Sequence, residues 1–184
     1  MTEKNPWKTL SSKIVYETPW IRVVEHNCLN PQQKPANYGV VEFKNTAIGI
    51  LAVDEDQKIY LVGQWRYPLN QYSWELPEGG GRTGFDPLEE AKRELQEETG
   101  VTAKSWTKLF EMHLSNSMTN EHSIVYLARD LEVGEPAPEE TEVLKIKKVS
   151  INEAYEMVVS GEITDSMSVA AIQRLYIDQI TSSY

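Results

Sequence analysis

The chain has 184 residues, 40% of them hydrophobic, with 28 acidic side chains against 18 basic ones, for a formal net charge of −10. That length suits one domain, or one domain with a small extension, and the apolar content is enough for an ordinary core. The acidic balance argues against non-specific binding to nucleic acid or anionic membranes, and no run approaches the ~20 apolar residues of a membrane span.

The N-terminal Met1–Pro6 has no apolar stretch of the kind that opens an export signal. Strands are expected at Lys13–Tyr16 and Ile21–His26, on either side of the Thr18-Pro19 break, and again at Asn37–Lys44. Cys28 is the only cysteine. No internal disulfide can form, which points to a reducing cytoplasm, and a lone thiol reads as a small buried hydrophobe. Ala47–Val53 is almost continuously apolar and is followed by the turn-like Asp54–Gln57 and a second apolar run, Ile59–Trp65. The pattern predicts a hairpin whose first strand is well buried. Ser73–Leu76 is short and extended, Pro77 stops it, and Glu78–Gly81 reads as a glycine-rich loop.

A helix follows with clear ends. Asp86 is a good N-cap, Pro87 fits the first helical position, Glu89 completes a capping-box pattern, and Gly100 fits the left-handed position after the last turn. Leu88, Ala91 and Leu95 make one apolar stripe, with Glu90, Glu94 and Glu97 roughly 60° to 100° round from it. Glu94 neighbours both Glu97 and Glu98 on that surface. Like charges at those spacings repel by a few tenths of a kcal/mol per pair, which a bound cation would reverse. Hard carboxylate oxygens suit Mg²⁺, Mn²⁺ or Ca²⁺ rather than zinc. The competing reading is a solvated acidic helix face.

Further strands are expected around Trp106–His113, Ser123–Arg129 and Val143–Val149. Ser150–Glu153 is a second capping box on a helix that Gly161 ends, and a last helix runs from Ser166 to Ile180 with Val169, Ile172, Leu175 and Tyr176 as its apolar face. Strands interleaved with three helices predict an α/β fold, a mixed β-sheet between helical layers, with an N-terminal strand extension. His26, His113 and His122 lack the spacing of a ligand set and are read as structural.

Gly79, followed at the right intervals by Arg93-Glu94-Leu95, Glu97-Glu98 and Gly100-Val101, resembles the Nudix box. Gln64–Tyr67, Trp74–Gly80, Ser115–Ser117 leading to Glu121, and Glu139–Glu142 resemble the ADP-ribose and nucleoside-diphosphate-sugar pyrophosphatase branch of that family. The resemblance spans about residues 14 to 178. It implies a Nudix domain over residues 46–184, with strands 1–45 building a homodimer interface. It implies a Mg²⁺-dependent pyrophosphatase, with Mn²⁺ as a substitute, that cuts a small nucleoside diphosphate derivative. The products would be a nucleoside monophosphate and a sugar phosphate.

Residue roles follow from the same resemblance. Glu94 and Glu98 would be direct metal ligands, Glu97 a ligand directly or through water, and a carbonyl of Gly79 or Gly80 a further one. Glu121 is another carboxylate within the site's reach, and Arg93 would hold the glutamates by ion pairs. Glu98 also counts among the catalytic residues, with Glu140 or Glu142 as general base. Arg66 is the expected phosphate clamp, against the alternative of a surface ion pair. Glu75 and Glu78 would bind ribose hydroxyls or position the loop. Trp20 and Tyr16 would stack on the base, from the same or a neighbouring subunit, against the alternative of core aromatics.

One position departs from the pattern: its first Glu falls on Phe85. In the family that residue braces the loop before the helix, and the adjacent Asp86 is a substitute for it. Phe85 also favours the rival reading of a non-catalytic nucleotide-sensing domain, whereas the intact Glu94, Glu97 and Glu98 oppose it. Other Nudix substrates are GDP-mannose, a dinucleoside polyphosphate or an oxidised nucleotide. ADP-ribose enzymes usually carry a proline about sixteen residues past the box. Ser115–Met118 contains none, which tilts the reading toward nucleotide sugars.

Overall fold

A computed structural model describes residues 3–135 and 143–181. The chain opens with three strands, β1 (Lys8–Glu17), β2 (Ile21–Leu29) and β3 (Pro35–Phe43), which form an antiparallel sheet of their own in that order. Every residue of β1 is exposed, including the apolar Leu10, Ile14 and Val15. β3 is tied to the segment after residue 113: the Val41 N–H donates to the Met118 carbonyl (2.9 Å) and the Phe43 N–H to Asn120 Oδ1 (2.6 Å).

The remaining strands fall into two further sheets. β4 (Thr46–Ala52) is central in a four-stranded sheet ordered β7-β4-β9-β8, with β7 at Glu78–Gly81, β8 at Val101–His113 and β9 at His122–Val133. β4 runs parallel to β9 and antiparallel to β7. β5 (Lys58–Arg66) lies between β10 (Lys145–Ser150) and β6 (Gln71–Glu75). Helix α1 (Pro87–Thr99) covers one face of the four-stranded sheet, and α2 (Ile151–Val159) and α3 (Ser166–Thr181) pack on the other side. The expected mixed sheet between helical layers is what forms.

Alternation along β4 explains this layering. Ile48, Ile50 and Ala52 join Ala91 and Leu95 of α1 in one core cluster, while Leu51 joins Ile151, Met167 and Ile172 of α2 and α3 in the other. A strand buried on both faces belongs in the middle of a sheet. The expected hairpin of Ala47–Val53 with Ile59–Trp65 is therefore reduced to a single bridge, Val53 to Ile59. Beyond that bridge β4 takes partners on both edges in one sheet and β5 in another; a two-stranded hairpin would have left an edge of each unpaired. Glu78–Gly81 is likewise a strand rather than a loop, pairing from Gly49 opposite Glu78 to Thr46 opposite Gly81.

Candidate active site

Helix α1 begins and ends as its sequence predicts. The Asp86 carboxylate accepts from the Leu88 N–H at 2.8 Å, Pro87 follows, and Gly100 takes a left-handed φ of 72° with its N–H on the Gln96 carbonyl. Glu89 does not close the capping box; it pairs with Lys92 at 2.7 Å. The acidic residues are not a solvated face. Glu90 and Glu98 are only 1% and 2% exposed, and Glu94 is also buried. Packing Leu95 and Ala91 against the sheet draws the adjacent carboxylates inward, and a buried carboxylate requires partners.

Those partners form a connected set. Arg93 donates from Nη1 to Glu97 (2.5 Å) and from Nη2 to Glu94 and to Glu90 (3.2 Å). It thus holds the glutamates as expected, and its Nε is buried with no hydrogen-bond partner. Glu98 Oε2 accepts from the Glu78 N–H at 3.0 Å, fixing α1 to β7. Glu90 is gripped from its other side by Arg82, whose Nε lies 2.9 Å and Nη2 2.6 Å from its oxygens, and whose backbone N–H reaches Oε2 at 3.1 Å. The Arg82 hydrogen bonds, more than the Arg93 charge, hold the Glu90 carboxyl down at about 2.

The glycines of β7 are needed for this approach. A Cβ built on Gly79 would fall on the Glu94 carboxyl group, and one on Gly80 would fall on Asn45 Nδ2. The Gly79–Gly80 backbone is also the wall shared by two chambers of about 590 Å³ each. One contains Glu94, Glu97, Arg93, Arg82 and Lys44; the other contains Arg66, Glu75, Glu78, Glu121 and Asp165, with Leu69, Leu114 and Met167 as its apolar side.

In the second chamber Arg66 is engaged by carboxylates. Its Nε lies 3.0 Å from both Glu75 oxygens and its Nη2 2.7 Å from Glu78 Oε1. Arg66 is thus in an ion pair, the alternative to a phosphate clamp, but its carboxylate partners are only 3% and 9% exposed. Burial, then the charges of Asp165 and Glu75, push the Glu78 carboxyl well above the ordinary carboxylate range, and its Oε2 has no hydrogen-bond partner. Burial and Asp165 also raise Glu121. Asp165 carries no site signal in the sequence. Its carboxylate accepts from the Ser168 N–H at 2.8 Å, so in the sequence it is only the cap of the last helix. Ser168, wholly buried, accepts in turn from the Leu76 N–H at 2.8 Å and anchors the segment carrying Glu75 and Glu78.

The structure brings together most of the sequence-derived residues. Glu94 and Glu97 line one chamber, Arg66, Glu75 and Glu121 line the other, Glu78 and Gly79 line both, and Glu98 is tied to the wall through the Glu78 N–H. Trp20, 67% exposed, lines both chambers and is no core residue. Tyr16 is exposed on β1 and lines neither. Glu140 and Glu142 lie outside the described residues. Among the described residues, no three of His, Cys, Asp and Glu converge as a metal cluster. Nitrogen donors hold the glutamates instead. The donor set nonetheless fits a hard divalent ion: oxygens from one rigid helix, opposite a glycine whose missing side chain leaves the Glu94 carboxyl its space.

Comparison with known proteins shows the family and the fold. The NUDIX domain model matches residues 43–166, and the chain belongs to the Nudix family. A model of the nucleoside diphosphate sugar hydrolase N-terminal domain matches residues 7–41. The chain is 32% identical to the ADP-ribose pyrophosphatase of Bacillus subtilis (strain 168), with 94% of each protein covered. It is 33% identical to the ADP-ribose pyrophosphatase of Mycobacterium tuberculosis, covering 75% of this chain and 67% of that one. A crystal structure of an ADP compounds hydrolase superposes with a TM-score of 0.86 over 100% of this chain and 98% of the other, at 17% identity, which shows the same fold.

Proposed function

We propose that this chain is a Mg²⁺-dependent pyrophosphatase that hydrolyses the diphosphate of ADP-ribose or another nucleoside diphosphate sugar. The observation that carries the reading is the approach of the Glu94 carboxyl to Gly79, with Glu97 in the same chamber and Glu98 on the Glu78 N–H, beside two chambers large enough for the two halves of such a substrate. Resemblance to two ADP-ribose pyrophosphatases over most of the chain supports it.

In this reading Glu94, Glu97, Glu98, Glu121 and the Gly79 carbonyl hold Mg²⁺, or Mn²⁺ in its place. A divalent ion supplies neutralisation of the diphosphate charge, orientation of the phosphates and a more acidic bound water. Arg93 keeps the repelling carboxylates at fixed spacing, and its guanidinium stays charged throughout. Glu140 or Glu142 accepts the proton of the attacking water. Water adds to one phosphorus, the bridging P–O bond breaks, and a nucleoside monophosphate and a sugar phosphate leave. Arg66, held by Glu75 and Glu78, presents its guanidinium to the phosphates, while those two carboxylates line the place of the ribose hydroxyls. Trp20, on the rim, stacks on the base, and Tyr16 does so from a neighbouring subunit.

Two assignments extend the reading to the whole protein. The exposed apolar side chains of β1 support a homodimer formed through the N-terminal sheet. The lone Cys28 supports residence in the cytoplasm. No helix among the described residues is long and apolar enough to cross a membrane.

Glu98→Gln tests the core of the proposal, because the amide keeps an oxygen for the Glu78 N–H but loses the charge. Mg²⁺-dependent turnover should vanish while the circular dichroism spectrum is unchanged. Full activity in that variant would sink the metal assignment.

A further inference from the structure

We propose that Arg82, acting through Glu90, is the positioning residue that sets the metal-binding carboxylates of α1, and that in this chain it replaces the acidic brace which the family pattern places at position 85. The inference rests on the reading of Glu94, Glu97 and Glu98 as metal ligands.

Position 85 holds a phenylalanine that is 57% exposed. The ring has a partner, however: the Arg82 guanidinium carbon sits 4.3 Å from its centroid. Stacking on that face leaves the edge of the guanidinium free to meet Glu90, and Nε and Nη2 both do so. The Arg82 backbone N–H joins them, so side chain and main chain clamp the same carboxylate. Asp86 does not share this task, because its carboxylate caps Leu88.

Glu90 passes the constraint on. It also accepts from Arg93 Nη2, and the same guanidinium holds Glu94 and Glu97. The line Phe85, Arg82, Glu90, Arg93 therefore ends on two of the three box glutamates. Arg93 has one guanidinium for three carboxylates. With Arg82 or the Glu90 charge removed, Arg93 loses the fixed carboxylate that sets its position, and its grip on Glu94 and Glu97 loosens. Partners one step behind a metal's ligands typically change its affinity by about 10- to 100-fold.

The test measures Mn²⁺ binding directly, by the loss of the free-ion electron paramagnetic resonance signal, without substrate. Wild type, Arg82→Ala, Arg82→Lys and Glu90→Gln are compared, with Tm recorded for each. Arg82→Ala and Glu90→Gln should weaken Mn²⁺ roughly tenfold or more. Arg82→Lys, which keeps the charge and the backbone contact but not the fork, should fall between them and wild type. Arg82 is 55% exposed, so its variants remain informative even if the buried Glu90→Gln does not fold. A merely structural brace would lower Tm and leave Mn²⁺ affinity within twofold of wild type, and that result overturns the proposal. Wild type that binds no Mn²⁺ at all would instead overturn the metal reading on which it rests.

Discussion

Replacing Glu90 with Gln should expose how strongly the acidic helix depends on its arginine partners. The Glu90 carboxyl titrates at about 2 in the fold, against an ordinary value of 4.5. A difference of that size corresponds to about 3 kcal/mol at neutral pH. The Arg82 side chain is 55% exposed, so screening reduces the expected effect to about 2 kcal/mol. For a domain of this size that is a fall in Tm of roughly 4–8 °C. Because the folded value lies below the unfolded one, the stabilisation is complete above pH 4.5 and is lost as pH falls toward 2. Thermal or urea denaturation of wild type and variant from pH 7 to pH 2.5 reads both quantities. The gap between them should close as the wild-type carboxyl takes up its proton. A gap under about 0.5 kcal/mol at pH 7, or one that is the same at pH 2.5, would refute the reasoning.

Three other outcomes are expected. Gly79→Ala puts a methyl group where the Glu94 carboxyl now sits, so turnover should fall by ~100-fold with a smaller effect on Tm; steady-state kinetics on the folded variant decides. Ser168→Ala strands the buried Leu76 N–H and should cost about 1–3 kcal/mol in chemical denaturation, whereas a neutral result would mean water takes the hydroxyl's place. Glu140→Gln and Glu142→Gln, assayed separately at saturating substrate, should differ, with the variant of the base losing kcat. If neither slows the reaction, the base lies elsewhere.

What the sequence disclosed and what it hid follow a physical pattern. Helix α1 was readable because its cap, its stripe and its terminal glycine are local signals, and the box glutamates lie within one helical face. β4 was readable as a buried strand for the same reason, but its partners were not. Neighbouring apolar runs suggested a hairpin, and only burial on both faces sends β4 and β5 to different sheets. The β7 segment reads as a loop in the sequence because glycines carry no hydrophobic period, although their lack of side chains is what lets that strand meet Glu94.

The site's electrostatics were hidden more deeply. Arg66 was visible as a candidate cation, yet its ties to Glu75 and Glu78 depend on the β5–β6 pairing that sets Val62 opposite Glu75. Asp165 enters the chamber from the start of α3, almost 90 residues after Glu78 in the chain, and no spacing rule connects them. Phe85 stood out as a departure from the pattern. Its compensation did not, because Arg82 reaches Glu90 across a loop whose shape the sequence leaves open.

The proposed reaction splits a nucleoside diphosphate sugar between its phosphates. The direct measurement is a panel of ADP-ribose, ADP-glucose, GDP-mannose, a dinucleoside polyphosphate and an oxidised nucleoside triphosphate, incubated with the purified protein and Mg²⁺, with products identified by mass. A nucleoside monophosphate and a sugar phosphate are expected from ADP-ribose or ADP-glucose, with both products lost when Mg²⁺ is chelated. Tight binding of these compounds with no hydrolysis, or turnover confined to the polyphosphate or the triphosphate, would contradict it.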